Sequence, residues 1–276
     1  MVSAFPKTRV GVDMRRVIAY QPFTATGEAT VLSVEAPGHM IYLSVHGQAS
    51  LEISIRCDTC PFAFTHLIDA PSVDLQGVID HLHGGMSTIG DDIIELLSRG
   101  LPAGEYMATL LEIEPTFTYF GQPDDYFSTE QGGLWEWALT AKGGRHYPRT
   151  GYYRTATTLV EPDAKFFEFV VPLHDPGSYQ RIDDWLQRMQ EGVRPVALTV
   201  AFGERRLPAH WHGNPPVTTH LCVAHYLLDG HHRFAAAERA GIPVRLLSAY
   251  ALGGSKPPPW RPDEAVTDTF LRLEAP

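Results

Sequence analysis

Five residues that bind or move charge stand in a row: Asp229, Gly230, His231, His232 and Arg233. The chain ahead of them, AHYLLDG, reads as a strand, and the chain behind, HHRFAAAERAG, reads as a helix ending at Gly241. A glycine at such a junction permits a tight turn and close approach of a ligand to the backbone. The first helical turn offers N–H groups and a partial positive charge, which suits an anion. Arg233 adds a planar fork that matches phosphate oxygens. His231 and His232 can donate hydrogen bonds and can carry charge near neutrality. Asp229 can hold a divalent cation or orient a histidine. The combination describes a phosphate-binding turn, and the small side chains of Ala235, Ala236 and Ala237 let its helix lie close to a sheet.

The elements that must position this turn are legible around it. FFEFVVPL reads as a strand, and IDDWLQRMQEG as a helix with Trp185, Leu186 and Met189 on one side. PVALTVAF reads as a buried strand and IPVRLLSAYAL as the strand after the turn helix. Nearer the N-terminus, TRVGVDMRRVIAY, EATVLSVEA, HMIYLSVH, SLEISIRC and MATLLEIEP read as strands, several of them separated by Pro-Gly or His-Gly breaks. Two helices are expected between them, in SVDLQGVIDHLHGG and STIGDDIIELLSRG. From Phe117 to Tyr153 the pattern dissolves into a long aromatic loop, read either as packed on the core or as a lid. The expected fold class is α+β, with a β-rich N-terminal domain over 1–155 and a compact α/β domain over 156–276.

Tyr226 to Leu247, with PVALTV upstream, resembles the ParB/sulfiredoxin-like superfamily over roughly residues 165–252. That fold places a Gly-x-x-Arg turn ahead of a helix and uses it to bind nucleotide phosphates. ParB partition proteins carry Gly-Glu-Arg-Arg and sulfiredoxins Gly-Cys-His-Arg where this chain has Gly230-His231-His232-Arg233. The spelling Asp-Gly-His-x-Arg is similar to the branch that includes free-serine kinases. The resemblance implies ATP or ADP with Mg²⁺ as cofactors, a small-molecule substrate, and an acidic general base. Glu168, Asp175, Asp183 and Asp184 lie in the region where that base belongs. Asp183 and Asp184 open a helix, where negative charge is favourable in any case. Glu168 sits among Phe166, Phe167 and Phe169, and an apolar setting would raise its pKa as a base near neutrality requires. The expected roles are therefore catalysis by Asp229, His231 and Glu168, and phosphate binding by Gly230, His231, His232 and Arg233.

Two further clusters have metal-ligand chemistry. Cys57 and Cys60 are spaced as half a zinc site or a redox dithiol, with His66 or Asp58 available to complete it. His210, His212, His220, Cys222 and His225 crowd ahead of the phosphate turn. His210 and His212 share one side of an extended segment, as do His220 and Cys222, so facing arms of a hairpin could bring four zinc ligands together. The segment Gly203–Arg206 spells Gly-Glu-Arg-Arg but precedes Leu-Pro rather than a helix, and reads as a surface turn.

Bulk properties narrow the partners. The net charge of −10 divides as −8 before residue 160 and −2 after it, so neither part is the basic surface that a general nucleic-acid binder needs. No apolar leader and no run of 18 apolar residues is found, so no membrane span is expected and the cytoplasm is the default compartment. Three cysteines are too few for a disulfide scaffold. The function expected is nucleotide-dependent phosphoryl transfer or nucleotide hydrolysis on a small molecule. A non-catalytic nucleotide sensor and a ParB-like nucleic-acid-associated module are the alternatives, and a homodimer is compatible with each.

Overall fold

A computed structural model describes residues 15–27, 32–35, 40–55, 65–67, 75, 77–83, 85–119, 151–161, 164–174, 177–206, 219–253 and 263–272. It is an α+β structure built mostly of strands. Eight strands form one mixed sheet in the order β1-β6-β12-β10-β11-β9-β8-β7. These are β1 (Arg15–Ala25), β6 (Gly104–Ile113), β7 (Thr116–Tyr119), β8 (Gly151–Glu161), β9 (Ala164–Pro172), β10 (Val196–Arg206), β11 (Thr219–Asp229) and β12 (Val244–Gly253). Among the described strands, only β10 with β12, and β11 with β9, run parallel. A small antiparallel sheet of β2 (Leu32–Glu35), β3 (Met40–Val45) and β4 (Gln48–Ile55) carries the two-residue β5 (Thr65–His66) at its edge. His46 and Gly47 turn β3 into β4, with φ of 50° and 73°. Positive φ at both central residues is the pattern of one of the two tight turns that match strand twist.

The described helices are α1 (Val78–His83), α2 (Asp91–Gly100), α3 (Tyr179–Gln190), α4 (His231–Ala240) and α5 (Glu264–Arg272). They divide between the faces of the large sheet. On one face, the small sheet, α1 and α2 cover Phe167, Phe169, Phe202 and Tyr226. On the other, α3, α4 and α5 cover Phe166, Val170, Val223 and Tyr250. The central strands β9, β10 and β11 are therefore buried on both sides, which explains their near-continuous apolar runs.

The strands and helices read from β9 to β12 are reproduced in order and type, but Gly203–Arg206, expected as a surface turn, is the end of β10 and pairs with Val223–His220 of β11. The boundary drawn at residue 155 does not divide the large sheet, because β8 runs across it and β6 lies between β1 and β12. The two ends of the expected long loop are strands, with Tyr119 paired to Gly151. Residues 120–150 lie outside the described residues, as do Cys57, Cys60, Asp175, His210 and His212.

Candidate functional site

β9 and β11 run parallel, and the chain leaves their carboxyl ends together. At the end of β11, Gly230 takes φ of 99°, a left-handed conformation costly for any side chain, and α4 begins at the next residue. Gly230 also lies close against β10, since a Cβ there would lie 2.8 Å from the Cβ of Ala197. The alanines of α4 continue that close packing, for Ala235, Ala236 and Ala237 are all buried. Among the described residues, no side chain caps the start of the helix. The site thus lies outside the carboxyl ends of parallel strands, where open α/β sheets commonly bind ligands.

Each residue of the turn has a distinct place. His231 is buried, and its Nε2 accepts a hydrogen bond of 3.2 Å from the backbone N–H of Leu173, just past β9. An accepting Nε2 puts the ring proton on Nδ1. The ring also stacks on His174, with centroids 3.7 Å apart. His231 therefore ties the start of α4 to the end of β9, a structural task that the sequence did not disclose. His232 is partly buried beside it. Asp229 accepts a hydrogen bond from Nη2 of Arg233. The sequence reading gave Asp229 a cation or a histidine to hold; the structure gives it the arginine.

Arg233 carries the unusual electrostatics. Only 2% of it is exposed. The guanidinium folds back over the turn, so that its Nε would lie 3.1 Å from a Cβ on Gly230. Among the described residues, its buried Nη1 has no hydrogen-bond partner. Such an unmet donor costs about 1–3 kcal/mol, more for a charged group. Burial, and then the nearby charge of Arg188, pull the Arg233 pKa down to about 10, so the group is still charged at neutral pH. Trp185 of α3 is close to both arginines, its ring centroid 5.6 Å from the Arg233 guanidinium and 4.3 Å from that of Arg188. His83 of α1 approaches the same indole at 6.0 Å. Trp185 was legible as a helix-face residue, but its neighbours were not. The spacing of Trp185 and Arg188, three apart on a helix, is the one sequence signal that could have joined them.

Glu168 is not part of this site. It is buried in mid-sheet, paired in register with Val223, six residues before Asp229 on β11. That separation is about 20 Å along the strand. Arg15 donates to its Oε2 from Nε at 2.9 Å, Thr155 donates to Oε2 at 2.8 Å, and Nε2 of His225 donates to Oε1 at 3.2 Å. Burial alone would raise its pKa, as the flanking phenylalanines suggested. The Arg15 charge, His225 and Thr155 outweigh burial and leave the carboxyl at about 2. The expectation of a raised pKa is overturned, and with it the role of general base. Ser248 meets Nδ1 of His225 at 2.9 Å, which completes a serine–histidine–carboxylate order. Ser248 and His225 are both fully buried and Arg15 neutralises the carboxylate, so these groups join strands rather than attack a substrate. Asp183, another candidate base, pairs with Arg239 of α4 at 3.4 Å.

The histidine and cysteine cluster separates. His220 and Cys222 do share one face of β11, as strand alternation requires, and both are buried. His225 faces the opposite side with Glu168. The His220 ring meets Phe167 edge-on at 5.2 Å, and burial together with Lys165 pulls its pKa down to about 4. Among the described residues, no three His, Cys, Asp or Glu side chains come together as a metal site. Asp229, the carboxylate of the turn, is engaged by Arg233 through Oδ2. No protein-family model, no curated protein and no solved structure matches the chain.

Proposed function

We propose that the turn from Asp229 to Arg233 binds the phosphates of a nucleotide, in the manner of the ParB/sulfiredoxin-like fold, and that the protein is a nucleotide-dependent phosphoryl-transfer or nucleotide-hydrolysing enzyme acting on a small molecule. The observation that carries this reading is Arg233, a buried charged donor with Nη1 unsatisfied among the described residues, whose Nε lies against a left-handed glycine ahead of a helix. A phosphate oxygen supplies the acceptor that Nη1 lacks, and the first turn of α4 adds its partial charge. Asp229 holds the guanidinium in place through Nη2. Phosphoryl transfer is catalysed largely by positioning and charge neutralisation, which such a turn provides.

One observation favours a second reading, a nucleotide sensor without turnover. Glu168 is remote and ion-paired, Asp183 pairs with Arg239, and Asp229 is taken by Arg233, so none of these three is poised as a base. Calorimetric titration with ATP, ADP and CTP, followed by an assay for phosphate release and transfer, separates the two. Binding with turnover supports the enzyme, and binding without turnover supports the sensor. Arg233→Lys keeps the charge but loses the fork, and should weaken nucleotide binding roughly ten- to a hundredfold while the fold, followed by circular dichroism, is retained. Unchanged affinity in folded Arg233→Lys, or no binding by the wild type, overturns the phosphate reading.

A further inference from the structure

We propose that Arg188 of α3 is a second anion-binding residue of this site, and that the arginine pair selects a ligand with two adjacent phosphates over one with a single phosphate. The inference rests on the reading of the Asp229–Arg233 turn as a phosphate site. Arg188 and Arg233 come from different helices and both lie against one indole. Two guanidiniums so placed repel one another, and Arg188 is the charged neighbour that makes Arg233 easier to deprotonate. Asp229 answers Arg233. Among the described residues, no carboxylate answers Arg188. Its stacking on Trp185, at 4.3 Å, fixes the orientation of an otherwise mobile side chain. A chain with a net charge of −10 has thus gathered a surplus of positive charge at the mouth of one helix.

An anionic ligand resolves this arrangement. One phosphate at the start of α4 meets Nη1 of Arg233. A second phosphate, bonded to the first, extends toward α3 and meets Arg188. Trp185 keeps the two guanidiniums spread rather than letting either turn away. The class of ligand is therefore a nucleoside di- or triphosphate, with the monophosphate bound through Arg233 alone.

Arg188 is exposed, so Arg188→Gln is expected to fold. The test is calorimetric titration of ADP, AMP, pyrophosphate and orthophosphate into wild type and Arg188→Gln, with and without Mg²⁺. The expected result is wild-type preference for ADP over AMP, and for pyrophosphate over orthophosphate. In Arg188→Gln the affinity for ADP should fall roughly tenfold, while that for AMP stays within about twofold. If the wild type prefers ADP and the variant keeps that preference, the role of Arg188 is overturned while the phosphate site stands. Equal wild-type binding of ADP and AMP overturns it as well. If the wild type binds none of the four, the phosphate site itself is wrong and the inference falls with it.

Discussion

At the scale of single residues, the buried polar atoms decide what each side chain is for. Tyr226 is fully buried on β11, and among the described residues its hydroxyl has no hydrogen-bond partner. Burial and the charge of Glu204 push its pKa well above the ordinary value, so the phenol stays protonated. Tyr226→Phe removes the unmet hydroxyl and keeps the ring, and should stabilise the protein by about 1 kcal/mol in urea unfolding. A loss of similar size would mean that the hydroxyl is bonded within the fold. The chemistry of the turn was readable at this scale, because Asp229, Gly230 and Arg233 adjoin in sequence. Glu168 was misread for a reason that lies in strand geometry. Phe167 and Phe169 point to the opposite face, and the face Glu168 occupies is shared with Arg15, 153 positions away. No local pattern discloses a partner at that distance.

At the scale of elements, Gly230 joins conformation to packing. Its left-handed φ would cost an alanine about 1–2 kcal/mol, and the added Cβ would meet Ala197 at 2.8 Å. Gly230→Ala should therefore destabilise the protein by about 2–3 kcal/mol in chemical denaturation. A change below about 0.5 kcal/mol would show that the backbone there is not left-handed. Strands and helices with strong periodicity were all legible, including the whole run from β9 to β12. The elements missed were β7, β8 and α5, and β8 is eleven residues long, its first three inside the stretch read as a loop. β7 is four residues long and draws its partner from β8, beyond residue 150. α5 did carry signals that could have been used: Asp263 accepts from the backbone N–H of Ala265 and Val266 as an N-terminal cap, and Val266 and Phe270 are buried four residues apart.

At the scale of the molecule, one buried ion pair ties distant parts together. Arg15 at the start of β1 reaches Glu168 on β9 and the carbonyl oxygen of Phe270 on α5. Removing one partner of such a pair leaves the other buried and uncompensated, so Glu168→Gln should cost about 3–5 kcal/mol. The folded carboxyl titrates at about 2 against an ordinary 4.5, so its stabilisation is complete above pH 4.5 and is lost as the pH falls toward 2. The neutral ring of His220 acts in a higher window. The unfolded chain takes up a proton below about 6.5 that the fold refuses until about 4, so stability also falls as the pH drops through that range. Thermal unfolding followed from pH 7 to 3 should show Tm declining from near pH 6.5, with a second loss below 4.5 that is absent in Glu168→Gln. A Tm independent of pH over that span would contradict both assignments. The single large sheet hid from sequence reasoning for a related reason, since the pairing of β6 with β12 joins segments more than a hundred residues apart. The claim on which the functional account turns is that Arg233 meets a phosphate. A crystal structure with a non-hydrolysable ATP analogue tests it most directly. The account predicts a phosphate oxygen within hydrogen-bond distance of Arg233 Nη1 at the start of α4, with a neighbouring phosphate against Arg188; a nucleotide bound elsewhere, with Arg233 still facing only Asp229, would contradict it.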